Sequence, residues 1–210
     1  MDVLQKISEE LQKGNFEQLP EFVRQALDAG IPPSRILKDG LVVGMSVVGE
    51  QFKNDEIFLP DVLISAKAMQ AAMTVLRPKL MEAGVKLAGK IVMGTVRGDI
   101  HDIGKNLVAM LLEGAGYQVI DLGIDVPPEK FVEAIKSSKA DAVGLSALLT
   151  ITMPLMKAVV ESLHESGIRN TVKVLVGGAP VTEQFAKEIG ADGYAPDAHT
   201  AVERVRELIG

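Results

Sequence analysis

The sequence contains no cysteine among its 210 residues. This absence excludes disulfide bonds, thiolate zinc sites, iron–sulfur clusters and a cysteine nucleophile. It also suits a reducing cytoplasm, where we expect the protein to be. Tryptophan is absent too, and aromatic residues make up only 4% of the chain. The core must therefore be built from Val, Ile, Leu, Ala and Met.

Positive charge and long apolar runs are scarce as well. The chain has 22 Lys and Arg against 28 Asp and Glu, which gives a net charge of -6. An acidic surface repels phosphate backbones, so we expect no nucleic-acid partner. The longest uncharged run, from Ala142 to Met156, is too short to cross a bilayer, so we expect no membrane partner.

Residues 1–87 space their apolar side chains by three and four, which predicts a four-helix bundle. The clearest stripe in this region consists of Leu59, Val62, Ala66, Met69, Met73, Leu76 and Leu80. A third helix is expected from about Ser34 to Phe52. We expect this bundle to end near Gly84–Gly89.

Residues 88–210 alternate short apolar runs with helical segments. The runs are Ile91–Val96, Gln118–Leu122, Ala142–Leu145, Val172–Val176 and Asp192–Ala195. Such alternation predicts an α/β domain with a doubly wound, five-stranded parallel sheet. The flavodoxin-like (Rossmann-like) strand order 2-1-3-4-5 is expected, with ligands bound at the carboxyl ends of the strands.

The loop after the first strand has no phosphate-binding pattern, since it lacks both G-x-G-x-x-G and G-x-x-x-x-G-K-[ST]. Its distinctive feature is Asp99, two residues before His101. A histidine that binds a metal usually donates its second ring N–H to a carboxylate, so Asp99 could orient His101 as a metal ligand. The alternative is an ordinary exposed histidine, either free or hydrogen-bonded.

Three motifs in order favour the metal ligand. D-x-H-x-x-G begins at Asp99, S-x-L begins at Ser146 after 41 intervening residues, and G-G begins at Gly177 after 28 more. This pattern resembles the cobalamin-binding domain of methionine synthase, corrinoid methyltransferases and some B12-dependent mutases. The stretch from Gly98 to Asn106 is similar to the methyltransferase branch (methanol, methylamine and methoxyaromatic types). Residues 1–87 resemble the helical cap of that branch, so the resemblance covers nearly the whole chain.

The resemblance implies that the chain binds cobalamin, a corrinoid of cobalt. His101 would be the axial cobalt ligand in place of the cofactor's own lower base, and Asp99 would accept its other ring N–H. Thr152 lies where the family often has a serine that extends this relay. The other implied cofactor-binding residues are Gly98, Ile100, Asp102 and Gly104 in the first loop, Ser146, Leu148 and Thr150 after the third strand, and Gly177, Gly178 and Ala198 along the nucleotide tail.

In the helical part, Phe52 and Leu59 resemble the cap residues that shield the upper face of the corrin, where they would cover the methyl group. The alternative is that both side chains belong to an ordinary bundle core.

The resemblance also implies a methyl carrier that does not catalyse alone. A substrate-specific methyltransferase would load the cobalt, a second, methyl-accepting methyltransferase would unload it, and a reductive activase would restore it. Three alternatives stay open: the cobalamin-binding subunit of a B12-dependent mutase, a B12-based sensor, and a flavodoxin-like module without cobalamin. The mutase subunit would normally lack the Phe52 and Leu59 cap, and the sensor would need a DNA-binding module.

Overall fold

The computed structural model describes residues 2–85 and 87–210. Lys86, inside the predicted boundary segment, lies outside the described residues. The chain forms two compact units. One holds the residues up to Leu87 together with Glu113–Gly116, and the other holds Ala88–Leu112 and Tyr117–Gly210. That the chain divides into two domains at residues 87 and 88 stays a prediction.

The first unit is helical, as the spacing of its apolar residues predicts. Its elements are α1 (Val3–Gln12), α2 (Leu19–Asp28), α3 (Pro33–Arg35), a π-helical segment (Ile36–Val42), α4 (Val43–Lys53) and α5 (Leu59–Glu82). The expected third helix therefore forms, but a π-helical segment interrupts it. Apolar spacing over seven residues does not separate hydrogen bonds to the fourth residue from hydrogen bonds to the fifth, so the sequence could not show this.

The core of the helical unit follows the predicted stripes. Leu4, Ile7 and Leu11 of α1 are buried, and so are most members of the α5 stripe. Leu59 and Met73, which also belong to that stripe, are half-buried.

Among residues 2–85 and 87–210, no helix combines the length and the apolar character that crossing a bilayer requires.

The second unit alternates strands and helices, as predicted. Its elements are β1 (Lys90–Thr95), α6 (Ile103–Gly114), β2 (Gln118–Asp121), α7 (Pro128–Ser138), β3 (Ala142–Ser146), α8 (Pro154–Glu165), a 3-10 turn (Arg169–Thr171), β4 (Lys173–Gly177), α9 (Glu183–Glu188), β5 (Gly193–Ala195) and α10 (Ala198–Ile209). All neighbouring strands pair in parallel, in the order β2-β1-β3-β4-β5. The flavodoxin-like order expected from the sequence is confirmed.

The strand register aligns the carboxyl ends of four strands. Thr95 pairs with Ser146, Ser146 with Gly177, and Gly177 with Ala195. These residues therefore form one row across the edge of the sheet, and the loops that follow them leave the sheet side by side.

The largest fully buried side chain described in the core of this unit is Phe131 of α7, which is 0% exposed. Its ring lies over Gly94 of β1, where an added Cβ would be only 2.7 Å from the ring. The absence of a side chain at Gly94 makes room for the ring against the central strand. In a chain so poor in aromatic residues, Phe131 fills a volume that several aliphatic residues would otherwise have to fill.

Replacing Phe131 by Ala should lower the free energy of unfolding by about 3–5 kcal/mol, because it removes a buried ring and leaves a cavity. Chemical denaturation followed by far-ultraviolet circular dichroism measures this change. Phe131→Leu is the matched control, and its loss should be clearly smaller since most of the apolar volume stays. Equal stability of Phe131→Ala and the wild type would contradict this placement of the ring.

Candidate functional site

Asp99 is the buried centre of the candidate site. It lies in the loop between β1 and α6, residues 97–102, which we call the His loop, and it is 0% exposed. Its Oδ2 accepts hydrogen bonds from the backbone N–H groups of Leu148 (2.8 Å) and Leu149 (3.3 Å). The buried hydroxyl of Thr152 donates to the same oxygen (2.7 Å). The carboxylate therefore joins the His loop to the segment that follows β3.

The other oxygen of Asp99 holds His101. Oδ1 accepts from the backbone N–H of His101 (3.1 Å) and contacts Nδ1 of its ring (2.9 Å). Thr152 keeps the relay hydroxyl that the resemblance implies, and its contact with Asp99 completes a chain from hydroxyl to carboxylate to imidazole.

Hydrogen bonding keeps Asp99 ionised. Burial by itself raises the pKa of this carboxyl group, because a charge is costly to remove from water. The donors Leu148, Thr152 and His101 outweigh burial and hold the pKa of Asp99 well below its usual range. A charged carboxylate can only accept hydrogen bonds, so the groups that contact it must donate.

This charge fixes the tautomer of His101. Because Asp99 accepts, Nδ1 of the ring carries a proton, and in the neutral imidazole Nε2 then carries the free lone pair. The side chain of His101 is 46% exposed, whereas that of Asp99 is fully buried. The ring therefore stands at the surface with one nitrogen anchored and the other available to a metal.

The backbone of the His loop is fixed at two further points. Gly98 has a φ of +79°, a conformation that L side chains rarely adopt, so the turn favours glycine there. The buried hydroxyl of Thr95 donates to the carbonyl oxygen of His101 (2.7 Å). The strand end and the glycine turn together set where the imidazole leaves the sheet.

The residues predicted to line a nucleotide tail lie along the same edge. Ser146 ends β3, Gly177 ends β4, and Ala198 begins α10 just after β5. Thr150 is exposed in the turn that follows β3. The structure brings these residues to the carboxyl ends of neighbouring strands, and their contact with a tail stays a prediction.

Both glycines at the carboxyl end of β4 have a packing reason of their own. Gly178 has a φ of +130°, and an added Cβ would collide with the carbonyl group of Ala147. An added Cβ at Gly177 would lie 3.0 Å from the carbonyl oxygen of Ala195. Close approach of backbone to backbone therefore accounts for Gly-Gly here, whether or not a ligand also lies against it.

Asp102 and Gly104 stand where α6 begins. The carbonyl and carboxylate oxygens of Asp102 accept from the backbone N–H (2.7 Å) and the side-chain amide (3.1 Å) of Asn106. Gly104 is exposed, and an added Cβ there would meet no atom within 4 Å. The surface at Gly104, three residues after His101, is therefore unobstructed.

Six exposed apolar side chains, which we call the apolar collar, lie on the segments that follow β1, β2 and β3. It includes the predicted residues Ile100 and Leu148, which are 70% and 41% exposed. Four further members were missed from the sequence: Ile103, Ile124, Leu149 and Ile151. Soluble domains seldom expose several large apolar side chains in one region unless they bind something there. The sequence did contain a signal that could have identified these four residues. Large apolar residues stand in or next to predicted loops, where polar residues are expected.

Comparison with known proteins decides the family. Residues 89–203 match a family model described as a B12 binding domain, and residues 3–77 match a second model with the same description. The chain belongs to the B12-binding family of corrinoid proteins.

Two relatives match this corrinoid protein over nearly their full length. It is 42% identical over 213 residues to a corrinoid protein of Desulfitobacterium hafniense (strain Y51), which covers 100% of this chain and 99% of the relative. It is also 42% identical over 210 residues to trimethylamine corrinoid protein 1 of Methanosarcina acetivorans, covering 99% and 97%. A chain in the structure of a methanol:cobalamin methyltransferase complex from Methanosarcina barkeri superposes with a TM-score of 0.89 at 34% identity. That match covers 99% of this chain and 79% of the other.

The site of this corrinoid protein fits its cofactor on two independent grounds. A corrin ring surrounds cobalt with nitrogens of its own, so the protein needs to supply only an axial ligand. His101 offers a candidate for that ligand, because its side chain is 46% exposed and its Nδ1 is held by Asp99, which leaves Nε2 for the cofactor. The apolar collar suits the broad, largely apolar face of a corrin, since burying apolar surface is favourable.

Phe52 and Leu59 are placed within the helical unit alone. Phe52 lies in the last turn of α4, Leu59 begins α5, and both side chains are half-buried. The carboxylate of Asp61 accepts a hydrogen bond from the backbone N–H of Phe58 (2.9 Å), which fixes the start of α5. A role of Phe52 and Leu59 in covering the corrin stays a prediction.

Replacing Asp99 by Asn should lower the free energy of unfolding by about 2 kcal/mol at neutral pH. The reason is that the variant loses hydrogen bonds to a charged group and turns an amide N–H towards other donors. In the wild type, the stabilisation from Asp99 is complete above its ordinary carboxyl pKa. It is lost as the pH falls towards the lowered native pKa. The Asn variant should lack this part of the acid destabilisation.

Urea unfolding of the cofactor-free protein between neutral and acidic pH measures both effects. Asp102→Asn, a change of an exposed carboxylate on the same loop, is the control and should follow the wild type closely. Identical pH profiles for Asp99→Asn and the wild type would show that Asp99 is not held as a buried carboxylate.

Proposed function

We propose that this chain is a methyl carrier that holds a corrinoid with His101 as the axial cobalt ligand and passes methyl groups between partner enzymes. One observation supports it above all. A buried, ionised Asp99 lies 2.9 Å from Nδ1 of an exposed imidazole at the carboxyl edge of the sheet. This pairing holds the ring through Nδ1, so that in the neutral imidazole Nε2 keeps the lone pair that metal ligation needs.

Each group at the site has a defined part in this proposal. Nε2 of His101 would bind the cobalt and the apolar collar would receive the lower face of the corrin. Ser146 and Thr150, with Gly177, Gly178 and Ala198, would line the displaced nucleotide tail. When bound, the corrinoid supplies a cobalt centre that can accept a methyl group and give it up again.

The chain's own contribution is to fix the position of the ring proton of His101 and the orientation of the ring. Asp99 and the Thr152 hydroxyl keep the ring proton on Nδ1, so His101 presents a lone pair rather than an N–H. Binding of a metal at Nε2 requires that lone pair, because a protonated nitrogen cannot act as a ligand.

The partners are methyltransferases in this proposal. The relatives include a trimethylamine corrinoid protein, and a structural relative comes from a methanol:cobalamin methyltransferase complex. These names support a substrate-specific methyltransferase as the donor enzyme. A second methyltransferase would accept the methyl group and a reductive activase would restore inactive cofactor. Phe52 and Leu59 would shield the methyl group between transfers.

Replacing His101 by Ala should weaken cobalamin binding and abolish the visible absorption spectrum of the histidine-bound form, because the only proposed protein ligand to cobalt is gone. The measurement is a titration of cofactor-free protein with aquocobalamin, followed by dialysis and absorption spectroscopy.

His164→Ala is the matched control, since His164 is an exposed histidine near the end of α8 in the same unit. It should bind cobalamin and show the spectrum of the wild type. If His101→Ala kept that spectrum, the ligand would be some other group and the proposed function would lose its central element.

A further inference from the structure

A second loop runs beside the His loop and bonds to it and to the strand before it. We call this segment, residues 122–127 between β2 and α7, the strap. The backbone N–H of Thr95 donates to the carbonyl oxygen of Gly123 (3.0 Å), and the N–H of Val126 donates to the carbonyl oxygen of Thr95 (3.0 Å). Val96 and Val126 also form a parallel bridge. The strap thus continues the sheet past the end of β1.

Asp125 connects the strap to the His loop itself. Its backbone N–H donates to the carbonyl oxygen of Asp99 (2.9 Å), and its Oδ1 accepts from the backbone N–H of Gly98 (2.7 Å). One residue therefore bonds to the chain on both sides of the peptide that joins Gly98 to Asp99. That peptide sets the position of the carboxylate that orients His101.

The residue type at position 125 suits both bonds. Asp125 has a φ of +52°, in the left-handed region. Asp and Asn enter this region more readily than other residues with a side chain. Asp also has a short side chain that ends in an acceptor, which is what the Gly98 N–H requires. A backbone conformation of this kind, held next to a functional loop, points to a role in positioning.

The strap has an anchor of its own. The side chain of Lys105 on α6 is 1% exposed, and its Nζ lies 2.5 Å from Oδ2 of Asp121 at the end of β2. Oδ1 of Asp121 accepts from the backbone N–H of Gly123 (2.9 Å). A buried ammonium group is costly without such a partner, so this pair fixes the start of the strap. Asp125 therefore reaches the His loop from a segment that is itself held in place.

We propose that Asp125 is a positioning residue that keeps the Asp99–His101 pair in its ligating arrangement before a corrinoid binds. This inference rests on the proposed function, since it assigns Asp125 to the ligation of cobalt by His101. Asp125 acts through the backbone of Gly98 and Asp99, to which its two hydrogen bonds described above are made.

Two substitutions separate the side chain from the backbone. Asp125→Gly keeps the freedom to adopt a positive φ and removes the acceptor, whereas Asp125→Asn keeps both the conformation and an acceptor oxygen. Lys139→Gly is the control, because Lys139 is another exposed residue with a positive φ (+54°) at the end of α7.

The first measurement uses the cofactor-free protein. Amide hydrogen exchange at Gly98, followed by nuclear magnetic resonance, should be about tenfold faster in Asp125→Gly than in the wild type, as expected for the loss of one hydrogen bond to a charged acceptor. Asp125→Asn and Lys139→Gly should stay close to the wild type. Unchanged exchange in Asp125→Gly would overturn the inference.

The second measurement uses aquocobalamin as the probe. Asp125→Gly should bind it about tenfold more weakly, with part of the bound cofactor lacking the histidine-bound spectrum, and Asp125→Asn should restore both. Failure of Asn to restore them, or an equal loss in Lys139→Gly, would overturn the role of the Asp125 oxygen. If instead the wild type showed no spectrum that depends on His101, the proposed function would fail, while exchange at Gly98 would still report the contact.

Discussion

The carboxylate of Asp99 is the interaction on which the rest of the site depends. It is fully buried, and burial alone would favour its neutral form, yet donors from the His loop and from the segment after β3 keep it charged. The same donors tie the segment after β3 to the loop after β1. The negative charge of Asp99 therefore has two effects. It holds the loop after β1 and the segment after β3 together, and it determines which nitrogen of His101 contacts the carboxylate.

The fold supplies the edge that this charge needs. Parallel strands in the order β2-β1-β3-β4-β5 bring their carboxyl ends to one side, and the register puts Thr95, Ser146, Gly177 and Ala195 in a single row. The segments that follow the three strands β1, β2 and β3 carry the apolar collar at this edge. A corrinoid site requires a polar anchor for the ligating imidazole and an apolar surface next to it. Both follow here from the strand order of the sheet.

Much of the fold and of the candidate site could be predicted from the sequence, because the residue patterns that indicate them are local. Apolar spacing gave the helices and strands, and the distance from Asp99 to His101 indicated a relay before any geometry was known. The π-helical segment at Ile36–Val42 was not accessible, since seven residues do not distinguish two hydrogen-bond patterns. Neither was Asp125, whose importance depends on a positive φ and on two bonds to a loop 26 residues earlier in the chain, at Asp99. Such contacts between distant parts of the chain produce no periodic pattern in the sequence.

The central claim is that Nε2 of His101 bonds directly to cobalt, and electron paramagnetic resonance tests it at that atom. Protein would be prepared with histidine labelled with nitrogen-15, loaded with cobalamin and reduced to the cobalt(II) state. Axial coordination by a protein histidine predicts that the nitrogen splitting of the cobalt lines changes from triplets in unlabelled protein to doublets in labelled protein. Triplets that persist after labelling would show that the axial nitrogen comes from the cofactor, and that contradicts the account.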